Sequence, residues 1–265
     1  MAGKVIIFGN QKGGTGKSTL AMHLVVNLLL QGYKVGTIDV DARQGTFTRY
    51  IENRERTKAN NPEILTPVHT PIFDSTKDTV TSMSEENFEN FAKAIDSYKD
   101  FDFIIVDTPG NDSNLSKIAH SFADVIITPM NESFIDLDLL VKIHGASVND
   151  LKPSVYAEMV WNQKKEKAIR QKGTIDWIVL VNRMSTMASN NRLDLDKILL
   201  ALAKRIGFRL AKGFKERVIF RELFLTGLTL LDRKTPQAQM SLSHIAARQE
   251  LGDLLKCLNI TDKND

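Results

Sequence analysis

Short apolar runs alternate with stretches of helical periodicity along most of this chain. Residues 4–9, Lys4-Val5-Ile6-Ile7-Phe8-Gly9, form an apolar run that stops at glycine and predicts a buried strand. Leu20 to Gln31 has helical spacing, and Gly32 closes it. Val35-Gly36-Thr37-Ile38 predicts a second strand that ends on Asp39. Arg49 to Asn61 is polar and reads as helix, then loop. Pro62, Pro67 and Pro71 among many Ser and Thr predict a long irregular connection over 62–84. Glu85 to Lys99 sets Phe88, Phe91, Ala92 and Ile95 at helical spacing, with Glu85 and Glu86 in the first turn.

The plainest strand is Phe101-Asp102-Phe103-Ile104-Ile105-Val106, which ends on Asp107. Val125-Ile126-Ile127 follows and ends at Thr128-Pro129. Ile135 to Leu151 predicts a helix with Leu137, Leu140, Val141 and His144 near one face. Val155 to Lys172 predicts another, and its Lys164-Lys165-Glu166-Lys167 run reads as a solvated face. Trp177-Ile178-Val179-Leu180-Val181 predicts a strand ending on Asn182. A helix over about 190–206, a short strand near 207–210, a basic loop and two helices complete the pattern. Apolar, unalternating strands joined through helices imply a single α/β domain over 1–265. It is a three-layer α/β/α arrangement around a mostly parallel, doubly wound sheet. Ligands of such sheets bind beyond the carboxyl ends of the strands, where Asp39, Asp107 and Asn182 fall.

Composition narrows the possibilities without redirecting them. A hydrophobic share of 42 % over 265 residues is ample for one core. A net charge of +3 is too small to imply a nucleic-acid partner, so a basic surface would have to be local. The single cysteine, Cys257, cannot make an internal disulfide or a metal cage and reads as a small apolar residue of the last helix. The five histidines, His23, His69, His120, His144 and His244, show no metal-ligand spacing. No run approaches the roughly 18 apolar residues of a membrane span, and no leader pattern opens the chain. A cytoplasmic protein is expected.

Chemistry concentrates at Gly9-Asn10-Gln11-Lys12-Gly13-Gly14-Thr15-Gly16-Lys17-Ser18-Thr19, between a strand and a helix. That setting is what a P-loop requires. Gly13, Gly14 and Gly16 clear side chains from a loop whose N–H groups wrap phosphate, and they permit positive φ. The helix beginning near Gly16 turns its free N–H groups and positive dipole end toward the anion. Thr15 completes the loop, and Lys17 adds a mobile charge for the outer phosphates. Ser18 offers a hydroxyl to Mg²⁺, and Thr19 one to the α-phosphate. The place of the usual first glycine is taken by Gln11, and Lys12 follows it. Asp107, ahead of Thr108-Pro109-Gly110, is placed to hold Mg²⁺ through a bound water. Asp39 and Asp41, two apart in an extended segment, are expected to face the phosphates together, one toward the metal and one toward an attacking water.

Lys-Gly-Gly-x-Gly-Lys-Ser-Thr, Asp-x-Asp-x-x-Gln and Val-Asp-Thr-Pro-Gly, in that order over the first 110 residues, resemble the ParA/MinD family of deviant P-loop ATPases. Four further segments resemble the MipZ branch of division-plane positioning ATPases: 128–134 (Thr-Pro-Met-Asn-Glu-Ser-Phe), 204–209, 217–224 and 227–232 (Gly-Leu-Thr-Leu-Leu-Asp). The resemblance implies ATP and Mg²⁺ as cofactors, slow hydrolysis, and a monomer that becomes a homodimer when ATP binds. It makes Lys12 the lysine that reaches the partner subunit's triphosphate, and it puts Gly13 at that interface. Asp41 becomes the residue that positions water, and Asn182, with Arg183 beside it, the reader of adenine. It further implies binding to ParB, inhibition of FtsZ assembly, non-specific DNA binding and a nucleoid-associated location, with no membrane role. A ParA-type partitioning ATPase shares the same motifs. Asn111 departs from the glycine common in relatives.

The segment 192–221 carries nine basic side chains against three carboxylates. Arg192, Lys204, Arg205, Lys215, Arg217 and Arg221 are its candidate contacts to a phosphate backbone, and Phe208, Phe214 and Phe220 read as core packing. The last helix and its Thr261-Asp262-Lys263-Asn264-Asp265 tail do not suit anionic lipid. A cluster-carrying relative would need cysteine pairs, and a GTPase would need an Asn-Lys-x-Asp motif. Neither occurs.

Overall fold

The computed structural model describes residues 3–142, 152–185, 190–232, 242–260 and 263. Among the described residues, nine short strands and eight α-helices follow one another: β1 (Lys4–Phe8), α1 (Lys17–Leu30), β2 (Val35–Asp39), α2 (Thr46–Asn60), β3 (Val68–Pro71), α3 (Val80–Ser97), β4 (Phe103–Asp107), α4 (Asn114–Phe122), β5 (Val125–Asn131), β6 (Val141–Lys142), β7 (Lys152–Pro153), α5 (Val155–Gln171), β8 (Asp176–Asn182), α6 (Asn190–Leu202), β9 (Arg209–Ala211), α7 (Ile219–Thr226) and α8 (Leu242–Cys257). Seven strands form one sheet in the order β3-β2-β4-β1-β5-β8-β9, and every pairing in it is parallel. Its strands are apolar on both faces because both are covered. Ile7, Ile104, Val106 and Ile126 enter one core with Phe91, Leu115 and Val160. Their chain neighbours Ile6, Ile105 and Ile127 enter the other with Leu24, Phe47 and Leu251.

Register sets the site. Phe8 pairs with Asp107, and Asp107 pairs with Asp39. The loop after β1 and the ends of β4 and β2 therefore lie at one level of the sheet, on the side where ligands enter.

Several local expectations change. The supposed irregular stretch 62–84 holds β3 and the start of α3. Pro71 fits because β3 is the edge strand, where a missing N–H costs no ladder bond. Helix α3 starts at Val80 after Thr79, whose side chain accepts from Ser82 N, so Glu85 and Glu86 lie beyond its first turn. The segment predicted as helix 135–151 begins as a 3₁₀ turn over Phe134–Leu139 and passes into β6. Leu137, Leu140 and Val141 are buried as their spacing implied, but by a turn and a strand. His144 lies outside the described residues. Strand β5 runs on through Pro129 because that residue pairs with Leu180 of β8, while the β1 ladder has stopped at Ile127. Lys167 is not solvated. It is 3 % exposed and donates to Ala123 O and, at 2.5 Å, to Asp124 Oδ1.

The interior also holds a complete ion pair. Arg54 of α2 is 0 % exposed and donates to Asp232 through Nη1 at 2.8 Å and Nη2 at 2.6 Å. Its Nε and Nη1 also donate to Leu65 O and Gly227 O, and Thr229 donates to Asp232 through both N and Oγ1. Tyr50 and Asn53 donate to Leu228 O and Phe224 O. Helix α2 is thus fastened to α7 and the turn after it. Among the described residues no helix is long and apolar enough to cross a membrane. Leu251 and Leu254 of α8 pack into the core, while Leu242 at its start is exposed.

Candidate nucleotide site

The loop from Gly9 to Gly16 is held from below by Asn10, which is 1 % exposed. Its amide donates to Pro129 O, and its Oδ1 accepts from Lys12 N at 2.6 Å. Gly14 (φ 72°) and Gly16 (φ 88°) adopt the left-handed conformation that glycine alone takes cheaply, whereas Gly13 does not. Gly16 is also steric. A Cβ there would stand 2.2 Å from Asn182 Nδ2. Helix α1 starts with no side-chain cap, which leaves first-turn N–H groups for an anion. Lys17 Nζ lies over the loop and donates to Lys12 O at 3.0 Å. Burial lowers its pKa, against the upward pull of Asp107 and Asp41.

Ser18 and Asp107 meet as expected. Ser18 Oγ donates to Asp107 Oδ2 at 2.6 Å. The other carboxylate oxygen, Oδ1, is buried and has no partner. Burial, then the neighbouring Asp39, pushes the Asp107 pKa up to about 7. A hard cation fits this spot: it supplies the missing partner and the missing positive charge, and hydroxyl and carboxylate oxygens are the donors Mg²⁺ takes. Asp41 lines the same cavity of about 210 Å³ with Gly13 to Thr19 and Asp107. Its pKa is raised by burial and then by Asp39.

Asp39, read from the sequence as a metal residue, is placed differently. It is 0 % exposed. Its Oδ1 accepts from Asp41 N, and its Oδ2 from both N and Oγ1 of Thr48. It does not line the phosphate cavity. The strand ends at Asp39, so the two carboxylates lose the common direction their spacing suggested: Asp39 turns inward to hold the loop, and Asp41 faces the cavity.

A second cavity, of about 260 Å³, shares Gly16, Thr19, Thr46 and Arg183 with the first. Asn182 and Arg183 line it, as does Phe220, with Phe224. Asn182 Nδ2 donates to Thr15 O at 2.7 Å, so in this state it also braces the loop. Arg183 has φ 53°. Sequence reasoning missed Asn10, Thr46, Phe220 and Phe224. Only a pattern of contacts across 170 residues of chain reveals the last two.

The basic segment is less free than its composition. Arg217 belongs to the second cavity and is bound through both terminal nitrogens to Glu250, at 2.5 and 2.8 Å, with its side chain 7 % exposed. That removes it from an open phosphate-binding face. Arg221 pairs with Glu216 while remaining exposed. Arg209 pairs with Asp176 and Lys212 with Asp253, carboxylates from outside the segment. Arg192 and Lys215 share a third cavity, and Lys215 links it to that of Arg217 and Arg221. Lys204 and Arg205 are exposed at a π turn over Ala203–Gly207, and Arg205 lines a different hollow with Val141 and Trp161. Five of the six candidates are thus divided among three hollows, with Lys215 lining two of them. Phe208 and Phe214 are core residues as expected.

Lys12 does not reach into its own cradle. Its Nζ donates to Ile135 O at 2.7 Å and to Asp136 Oδ1 at 3.0 Å. Gly13 has nothing within 4 Å of an added Cβ.

Burial lowers the pKa of His23 and of His120 to about 4, although each ring donates through Nδ1 to a backbone carbonyl. Unfolded imidazoles titrate near 6.5, so the unfolded chain binds more protons between pH 6.5 and 4, and both groups cost stability as pH falls. Asp107 has the opposite sign: raised to about 7, it binds its proton in the folded chain first. With His69 lowered and Asp41 raised as well, the histidines outnumber the carboxylates, and a net loss of stability is expected across that window. Urea midpoints of the nucleotide-free protein are expected to fall steadily from pH 6.5 to 4. Midpoints that held level or rose would contradict the burial of these rings.

The profile of the family described as ATPase MipZ matches residues 4–262. The chromosome-partitioning ATPase Soj of Treponema pallidum is 30 % identical over 153 residues, 51 % of this chain and 60 % of Soj. The chain thus spans about three-fifths of that curated relative. Among solved structures, McdA of Cyanothece, solved both without ligand and, as a variant, with ATP, superposes with a TM-score of 0.65 at 18 % identity in its apo form, covering 96 % of this chain and 99 % of McdA. The MinD cell-division protein of Aquifex aeolicus gives 0.57 at 15 % identity, covering 97 % and 98 %. At such identities these neighbours speak for the fold. The family match runs through the P-loop, both later carboxylates and the Arg54–Asp232 pair alike, and the chain belongs to the ATPase MipZ family of ParA/MinD-type P-loop ATPases.

Proposed function

We propose that this protein is an ATP-dependent dimerisation switch with slow hydrolysis that positions the cell-division plane. In this reading it spreads over the nucleoid from ParB at the chromosome origin and inhibits FtsZ assembly. The observation that carries the switch is the division of labour between two lysines. Lys17 lies over the phosphate loop, while Lys12, five residues earlier, points out of the cradle onto Asp136. A lysine held outside its own site is positioned to serve a second one. Two triphosphates facing one another repel, and a lysine donated across the interface offsets that charge, so ATP favours the dimer and hydrolysis releases it.

Ser18 and Asp107 are the residues that would hold Mg²⁺, which when bound neutralises charge on the phosphates. Asn182 and Arg183 border the base. Asp41, exposed to the cavity and held by its backbone to Asp39, orients the attacking water. Asp41→Ala is expected to bind ATP with near-normal affinity and to lose turnover by about two orders of magnitude or more. Wild-type turnover in that variant would remove Asp41 from the mechanism.

FtsZ polymerisation with this protein plus ATP, ADP or no nucleotide tests the proposal. Inhibition with ATP alone is expected. Without it, the second reading takes over, a ParA-type partitioning ATPase, which the match to Soj favours.

A further inference from the structure

The loop that carries Asp41 is fastened to the outermost strand of the sheet by a line of side chains that no motif announces. His69 stands on the edge strand β3, with both ring nitrogens in hydrogen-bond contact. Nδ1 lies 3.0 Å from Thr37 Oγ1 and Nε2 lies 3.0 Å from Thr48 Oγ1. Thr48, in the first turn of α2, donates its hydroxyl to Asp39 Oδ2 at 2.7 Å and its backbone N–H to the same oxygen at 2.9 Å. The other oxygen of Asp39 takes the N–H of Asp41 at 2.9 Å.

Counting protons fixes the direction of this line. Asp39 offers acceptors only, and the Thr48 hydroxyl has one proton. The short, charge-assisted contact to the carboxylate claims it. Thr48 Oγ1 then faces His69 Nε2 as an acceptor, so Nε2 must carry a proton or two lone pairs would oppose each other at 3.0 Å. Burial favours the neutral ring, which leaves Nδ1 without a proton beside Thr37 Oγ1, whose hydroxyl has both Nδ1 and Val68 O within reach. The part of the line that the geometry fixes is then His69 Nε2 to Thr48 and Thr48 to Asp39.

We infer that His69 and Thr48 are positioning residues for hydrolysis, setting the orientation of Asp39 and through it the placement of Asp41. Neither side chain lines the phosphate cavity or the base cavity. Their loss therefore spares nucleotide binding and acts on the step that Asp41 serves. A misplacement of a catalytic group by about 1 Å costs up to about a hundredfold in rate. The inference rests on the ATPase reading for its kinetic consequence, but not for its geometry.

Two measurements on the full chain test it. In the first, ¹⁵N-histidine NMR of the nucleotide-free protein, with His69 assigned by its loss in His69→Gln, is expected to show a protonated Nε2 and an unprotonated Nδ1. A protonated Nδ1 with a bare Nε2 overturns the relay. In the second, Thr48→Val and His69→Leu are expected to lower kcat for ATP about tenfold or more while the Kd of a fluorescent ATP analogue stays within about twofold. Thr48→Ser and His69→Gln, which keep the donor, retain most of the wild-type kcat. Wild-type kcat in the first pair, a parallel loss of affinity, or equal damage in the serine variant would each refute the positioning role. Absence of turnover in the wild-type protein would count against the ATPase reading, and the NMR tautomer would still decide the relay.

Discussion

Arg54→Met is expected to lower the free energy of unfolding by about 3–5 kcal/mol, a large part of what a domain of this kind possesses. The cause is the group left behind. Asp232 is 4 % exposed at its side chain and would lose both guanidinium contacts. Its remaining donors are the N and Oγ1 of Thr229, two hydrogen bonds for a full buried charge. At present Arg54 and the Thr229 bonds hold the Asp232 carboxyl below its ordinary range, although burial works in the opposite sense. Methionine keeps most of the volume, so the loss is electrostatic rather than a cavity. Urea denaturation measures it. Arg54→Met with Asp232→Leu should recover much of the deficit, because removing both charges leaves nothing unpaired. A single variant within about 1 kcal/mol of wild type would show that the pair is not desolvated as the structure has it.

Lys12→Ala is expected to remain monomeric with ATP under conditions in which the wild-type protein dimerises, and to lose turnover by a factor of about 10³ or more if it acts in trans as arginine fingers do. Binding of ATP to each monomer should survive, because Lys17 and the loop N–H groups form the cradle and Lys12 contributes only its backbone carbonyl there. Sedimentation with ATP, ADP and no nucleotide reads the result. An ATP-dependent dimer of the variant would refute the trans role. Within this chain Lys12 rests on Asp136 and Ile135 O, so in the proposed reading dimerisation would exchange one anion for another.

The phosphate loop was legible because its requirements are local. Glycines, a lysine, a hydroxyl pair and a strand–helix setting all lie within eleven residues. Asp107 was legible for the same reason: it ends an apolar strand, and register does the rest. The common direction expected of Asp39 and Asp41 was misread because spacing cannot say where a strand stops. Once β2 ends at Asp39, the two carboxylates no longer share a face. The 3₁₀ turn and β6 were hidden because burial of Leu137, Leu140 and Val141 repeats at a spacing that a helix would also give. The basic segment was overcounted because Glu250, Asp253 and Asp176, which neutralise part of it, come from other parts of the chain. Phe220, Phe224 and the His69–Thr48 line needed tertiary contacts, and no single-sequence signal contains those.

Gly13 carries a final consequence. Its conformation does not demand glycine, and among the described residues, its chain neighbours aside, nothing lies within 4 Å of the side chain it lacks. Folding of one copy therefore places no strong demand on that position, and a survey of variants scored by melting temperature or expression would pass over it in silence. Gly16, with its positive φ and Asn182 against it, would register at once. The two glycines, three residues apart, thus answer to different judges: Gly16 to the interior of its own molecule, and Gly13, in the proposed reading, to the second copy that would lie against it.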